Sequence, residues 1–389
     1  MRDAKRSGIW PEAQAVHRSA VTKSRKKVSW KLFEALFQRF VELSDQLFPN
    51  RPEYLWFGMR VFAFDGSNFT LPASEEIREF FDPESGFGKK NNGSGHYPTC
   101  LVSTVYDVFR QIPIARSIAP ISEANEREDA ITLLKQIPQG GVLLFDRGYP
   151  SYQMLYELED KYDGYYLFRG PAINSFSVVD DFITSGLEDD VLEMYPSDTY
   201  RKQIGRTKFK TLEPILLRLI KLVSPDGKVS VLITNMHDDR AFSRQDIINL
   251  YFKRWAVETH YSDEKKSMEI ERFHSRSVNG VMQELFAVAI MSVIARTLTA
   301  LVMPPSYDKK TVAMPQFKHA IVTLSADAIV LVADKPHIAL DLFNDILQEI
   351  ERVKYHKPKI PKKSQPRVNK SAPNKWKQYR KKKMENSVS

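Results

Sequence analysis

Residues 141–149 read GVLLFDRGY: four large apolar residues in a row, then an acid, a base and a turn glycine. A run that short and that apolar fits a strand covered on both faces, as parallel strands are. Outward from it the period changes. Upstream, EREDAITLLKQI (126–137) has helical spacing, opened by Ser122 to Asn125 and closed by PQGG. Downstream, YQMLYELED (152–160) is a second helix and GYYLFRG (164–170) another strand. Further upstream, VFAFDGS (61–67) repeats the pattern of apolar strand and aspartate, and TCLVSTVYD (99–107) and QIPIARSIA (111–119) read as a strand pair. Three strands followed by alternating helix and strand predict an α/β fold, a mixed sheet flanked by helices.

The rest of the chain arranges itself around that sheet. KLFEALFQRFVELSDQLF (31–48) spaces Leu32, Phe33, Leu36, Phe37, Phe40 and Leu43 for a helix, giving a helical N-terminal module over 1–54 that FPNRP ends. The sheet domain starts at 55 and runs to 170. Residues 171–235 break its rhythm: FSVVDDFI and VLEMY read as strands, and PILLRLIKLVSPDGKVSVLITNM as a hairpin around Pro-Asp-Gly, hence a β-rich insertion. Helices resume at RQDIINLYFKRWAVETHYSDEKKS and complete the domain over 236–303. A C-terminal helical region spans 304–353, and a Lys/Pro-rich tail, 354–389, has no apolar face and reads as disordered.

A hydrophobic fraction of 42% places the chain among globular proteins, and its one cysteine excludes an internal disulfide and a four-cysteine zinc site. A reducing cytosol fits, and the first thirty residues show no signal peptide. LFAVAIMSVIARTLTALVM (285–303) is apolar enough for a membrane, but Arg296 near its middle points to a buried core helix. Charge is segregated. Residues 1–30 carry +6 and residues 354–389 carry +12 against a total of +9, which leaves the body between them at −9. Basic ends around an acidic body suggest arms for a polyanion, with nucleic acid favoured; a solubilising tail is the plainer alternative.

YFKRWAVETHYSDEK (251–265) mixes bulky aromatics with charge. On a regular helix Tyr251, Arg254, Glu258 and Lys265 share a stripe about 60° wide and roughly 21 Å long. A solvated charged face is the ordinary reading of such a stripe. The other is a face laid along a phosphodiester, with Arg and Lys on phosphate oxygens and the carboxylate on a cation. Trp255 at its edge either stacks on a base or anchors the helix. Asp65 and Asp146 each follow a fully apolar strand, at strand ends where ligand chemistry collects. Singly, either is equally a turn residue. Two such carboxylates repel unless a cation neutralises them, and Glu258 would complete an oxygen site suited to Mg²⁺. Arg147, beside Asp146, reaches a phosphate or pairs with a carboxylate.

The spacing Tyr-x2-Arg-x3-Glu-x6-Lys, met by Tyr251, Arg254, Glu258 and Lys265, resembles the YREK signature of bacterial insertion-sequence transposases of family four, within the DDE superfamily. FAFDGSNFTLP and LLFDRGYPSY resemble that group's two aspartate strands. The resemblance covers roughly residues 55–303. It implies a ribonuclease H-like catalytic domain and cut-and-paste transposition, with Asp65, Asp146 and Glu258 as ligands for Mg²⁺ or Mn²⁺, two ions in all. It further implies phosphate contacts by Tyr251, Arg254 and Lys265, and double-stranded DNA at terminal inverted repeats and at the target as partners. A homodimer in the synaptic complex and a cytoplasmic, nucleoid-associated location with no membrane go with it. The head shows no helix-turn-helix, so its part in repeat recognition stays open.

Other motifs carry less. KKNNGSGHYP (89–98) lacks the Lys-Ser/Thr of a phosphate loop and reads as a hairpin, and His237, His260 and His274 lack metal-ligand spacing. The rival readings are a metal-dependent nuclease that does not join strands, a DNA-binding derivative without catalysis, and a basic-tailed RNA-binding protein.

Overall fold

The computed structural model describes residues 17–85, 96–171, 176–204, 213–224, 227–303, 313–332 and 336–356. The basic tail beyond His356, the first sixteen residues and most of the Gly-x-Gly segment lie outside them. The chain divides into two units, 1–305 with 315–354 and 306–314 with 355–389; the sheet and the helices lie in the first.

Five strands form the first part of the sheet: β1 (Val61–Thr70), β2 (Thr99–Asp107), β3 (Ile112–Pro120), β4 (Val142–Phe145) and β5 (Tyr165–Pro171). β6 (Asp189–Met194), β7 (Ile215–Val223) and β8 (Val229–Thr234) follow, and the sheet order is β3-β2-β1-β4-β5-β8-β7-β6. β1, β4 and β5 run parallel, and every other pairing is antiparallel. An antiparallel meander continued by two parallel strands is the ribonuclease H-like arrangement expected from the element order. All four residues of β4 are fully buried, and the rings of Phe64, Phe145 and Phe168 stack across β1, β4 and β5 at 4.5 and 4.6 Å. Parallel neighbours need a crossover. Between β4 and β5 it is α5 (Tyr152–Lys161), whose cap Ser151 accepts a hydrogen bond from the Met154 amide.

In the insertion, residues 176–183 are not a strand. They enter α6 (Ser177–Ser185), which buries Val178, Val179 and Phe182 on one face and stops at Gly186 in the left-handed region. A short helix, α7 (Asp198–Ile204), follows β6. β7 and β8 pair as the expected hairpin; Pro225 and Asp226 of its turn lie outside the described residues.

At the other end of the chain, α1 (Arg18–Lys27) and α2 (Trp30–Leu47) precede the sheet, and the short α3 (Glu75–Phe81) follows β1. α2 buries Phe37, Val41 and Ser44 and leaves Leu32, Leu36 and Leu43 exposed, so its packed face is narrower than its apolar spacing. That face meets the long helix α10 (Val278–Val302): Trp30 stacks on Phe286, and the Ser44 and Thr297 hydroxyls pair at 2.7 Å. α10 is long and apolar enough to cross a membrane by composition, yet much of it is buried against the rest of the protein. Arg296 in it pairs with Asp263 at 2.9 Å, which gives the charge a partner. α11 (Phe317–Val332) and α12 (Pro336–Arg352) make a smaller apolar cluster against the end of α10.

Candidate active site

Strand residues alternate faces. On β1, Gly66 turns toward α4 (Glu126–Leu133), while Asp65 and Ser67 turn toward the helices that follow β8. Asp65 is not past its strand but in the middle of it, paired with Thr104 of β2. β1 outruns its other neighbour, β4, which stops at Phe145. The parallel register pairs Ala63 with Leu144 and ends there; beyond it β1 runs on to Asp65 and the chain after β4 to Asp146, whose charge bears on Asp65. The two aspartates thus lie at the carboxyl end of the parallel ladder. Asp146 Oδ1 accepts from the Gly148 amide at 2.7 Å, which fixes its turn.

The 251–265 stretch is not one straight helix, so the single stripe expected there does not exist. α8 (Arg244–Tyr251) gives way to a 3₁₀ turn at Phe252–Arg254, then to α9 (Trp255–Ser262), then to a π turn at Asp263–Ser267. The tight turn and the wide turn re-aim the side chains on either side. Tyr251 is buried, beside Arg254. Arg254 is buried as well. Its Nη2 donates to Glu258 Oε1 at 2.7 Å, and its Nη1 lies 3.8 Å from Asp65 Oδ1. α9 is held to the sheet by Tyr261, whose hydroxyl donates to the backbone carbonyls of Asp65 and Val102. Lys265 folds back onto β1. Its Nζ donates to Ser67 Oγ at 2.9 Å and to the Asn68 carbonyl at 2.6 Å, 4.4 Å from the centre of the Phe69 ring. The acids next to it in sequence, Asp263 and Glu264, pair with Arg296 and Arg116. Trp255 is half-exposed and Arg147 exposed on the turn after β4.

The electrostatics mark Asp65 as the focus. Burial first, opposed by Arg254 and then reinforced by Glu258, Asp146 and Glu126, pushes its carboxyl up to about 7. Glu126 is the residue that the sequence pattern hides. It opens α4 behind the cap Asn125, and a Cβ at Gly66 would stand 2.6 Å from its Oε1. Burial and then Asp146 raise its carboxyl, against a hydrogen bond from Tyr149. An acid in a first helical turn is ordinary, so only the crossing of α4 over Gly66 distinguishes it.

Among the described residues no three His, Cys, Asp or Glu side chains stand close enough together to hold a metal ion, and Arg254 lies between Asp65 and Glu258. The donor chemistry nonetheless suits a hard divalent cation: carboxylate oxygens only, one of them destabilised by burial and like charge.

A model of the family described as Transposase DDE domain matches residues 56–294, which span β1 to most of α10 and include all three acids. The chain belongs to the DDE transposase family. Transposase InsG for insertion sequence element IS4, from Escherichia coli K12, is 23% identical over 276 residues, 70% of this chain and 59% of its own. InsZ, from the same strain, is 29% identical over 147 residues, 37% of this chain and 46% of its own. This transposase-family chain therefore spans about half the length of the curated relatives it matches. A solved piggyBac transposase synaptic complex with hairpin DNA is a looser likeness, with a TM-score of 0.41 and 11% identity over 80% of this chain and 60% of that one.

Proposed function

We propose that the chain is a DNA transposase of the YREK group that cleaves strands at insertion-sequence ends and joins them to target DNA. The observation that supports this reading best is the grouping of acids about Asp65: Asp146 and Glu258 both bear on its charge, and Arg254 links it to Glu258. Asp65, Asp146 and Glu258 would hold the divalent ions, Mg²⁺ or Mn²⁺, that membership of the family implies. When bound, two such ions activate a water or 3′-hydroxyl and stabilise the leaving oxygen of a phosphodiester. The chain's own groups do the rest. Arg254 and Lys265 face the strand's phosphates, Tyr251 backs Arg254, Trp255 offers a ring to a base, and Arg147 lies open to a phosphate beside Asp146. The layout that goes with this is a head over 1–54, a catalytic domain over 55–170 and 236–303, an insertion over 171–235, a helical region over 304–353 and a DNA-gripping tail. The partners are terminal inverted repeats and target DNA, with two copies in the synapse, in the cytoplasm at the nucleoid.

The test is a plasmid bearing the element's own ends, incubated with Mg²⁺. Asp65→Ala, Asp146→Ala and Glu258→Ala should each abolish cleavage while end binding stays within a few-fold. Full cleavage by any one of them removes that residue from the site, and cleavage without joined product by the unaltered protein favours the plain nuclease.

A further inference from the structure

Arg116, on β3, and Glu264, in the π turn, are almost wholly buried and lie 2.6 Å apart, with His260 Nε2 within 3.2 Å of Glu264 and 3.3 Å of Arg116. The His260 ring stacks on Tyr106 at 4.8 Å, and Arg116 Nη1 donates to the Leu285 carbonyl on α10. This group touches none of the three acids, so the chemistry proposed above leaves it without a task. It is also expensive to build. Glu264 Oε2 and Arg116 Nε are buried with no hydrogen-bond partner, and well-packed apolar residues would give comparable stability without that cost. In some proteins such a buried charged pair selects one arrangement over others, and here its partners lie on different elements.

The arrangement it specifies is the π turn. Three consecutive residues there reach three different elements: Asp263 pairs with Arg296 on α10, Glu264 with Arg116 on β3, and Lys265 with Ser67 and Asn68 on β1. The Met268 amide closes the wide turn on the Asp263 carbonyl. A regular helix turns about 100° per residue, and the extra residue of a π turn resets that sequence of directions. Burial works against ionising Glu264, yet Arg116 and then His260 outweigh it and hold its carboxyl down to about 2, so the pair stays charged.

We propose that Arg116, His260 and Glu264 are positioning residues: by pinning the π turn they set where Glu258, one and a half turns back, and Lys265, one residue on, present themselves to a DNA strand. This rests on the reading of Glu258 and Lys265 as site residues. The informative variant is the double Arg116→Met, Glu264→Met in the full chain, because removing both partners strands no buried charge, whereas removing one does. It should melt within a few degrees of the unaltered protein. Amide hydrogen exchange over residues 255–267 should quicken at least tenfold, and cleavage of element-end DNA should show kcat lowered tenfold or more with KM changed less than twofold. Unaltered exchange in the double variant overturns the proposal. So does faster exchange with an unchanged kcat, since the pair would then hold structure alone. If the unaltered protein cleaves no end DNA, the transposase reading fails, and the exchange arm still decides whether the turn is pinned. Should the double variant not fold, His260→Phe keeps the stack on Tyr106 and deletes only the ring nitrogen's contacts. Faster exchange and a lower kcat at an unaltered melting temperature support the clamp, and no change in either overturns it.

Discussion

Asp65 binds its proton more tightly in the folded protein than in the unfolded chain, because burial and three neighbouring acids outweigh Arg254. A carboxyl raised in this way favours folding at low pH. Its contribution is complete below about pH 4, the unfolded value, and is lost as pH rises through about 7. Thermal melts in chelator should therefore show stability falling between about pH 4 and 7, and Asp65→Asn should flatten that fall. An unchanged slope in the Asn variant would assign it to other groups. Lys265 gives a second expectation at this scale. Its ammonium makes two hydrogen bonds to β1, so Lys265→Ala should cost stability, about 1–3 kcal/mol, besides lowering strand transfer tenfold or more. Lys265→Met, which keeps the stem over Phe69, separates the two in parallel melting and joining assays: it should recover part of the stability and none of the transfer. The three proposed acids each carry a local mark in the sequence, an aspartate after an apolar run or a glutamate in a spaced signature. Glu126 and Glu264 carry no such mark. Their meaning comes from Gly66 and from Arg116, the latter 148 residues away from its partner.

At the scale of elements, legibility followed burial. β4 is covered on both faces, and a continuous apolar run announced it. Residues 176–183 fit either period, since Val178, Val179 and Phe182 lie together on a helix as readily as they alternate on a strand; the glycine stop at 186 and packing decided it. The breaks around Glu258 were invisible for a different reason: the partners of the π-turn residues lie on β1, β3 and α10, far away in sequence. One close approach makes the parallel strands testable. A Cβ on Gly164 would meet the Gly141 carbonyl at 2.6 Å and the Tyr162 ring at 2.5 Å. Gly164→Ala should destabilise by about 1–3 kcal/mol in urea melts. Gly66→Ala, which meets only the end of a flexible glutamate, should cost less. Equal losses would mean that the two sites yield alike.

For the whole molecule, the question is what the two basic ends do. Residues 354–383 carry thirteen positive and no negative side chains. Each phosphate they neutralise should add about 0.9 to the slope of log affinity against log salt. Deleting residues 357–389 should flatten that slope and weaken all DNA alike, in binding measured from low to moderate salt, and an unchanged slope would reduce the tail to a solubiliser. The head is bound into the fold differently. α2 rests on α10 through Trp30, Phe37 and Phe286, and Arg25 pairs with Glu284. That docking has a consequence in time. Ser44 and Thr297 are 253 residues apart, and a ribosome adding 5–20 residues per second separates their synthesis by roughly 13–50 s. For most of that interval α2 and the meander of β1, β2 and β3 are made but the seat on α10 is not, so the faces of Trp30 and Phe37 that meet Phe286 are open to water. A nascent chain stalled before residue 278 should be cut by protease within 30–47, and one released at full length should resist.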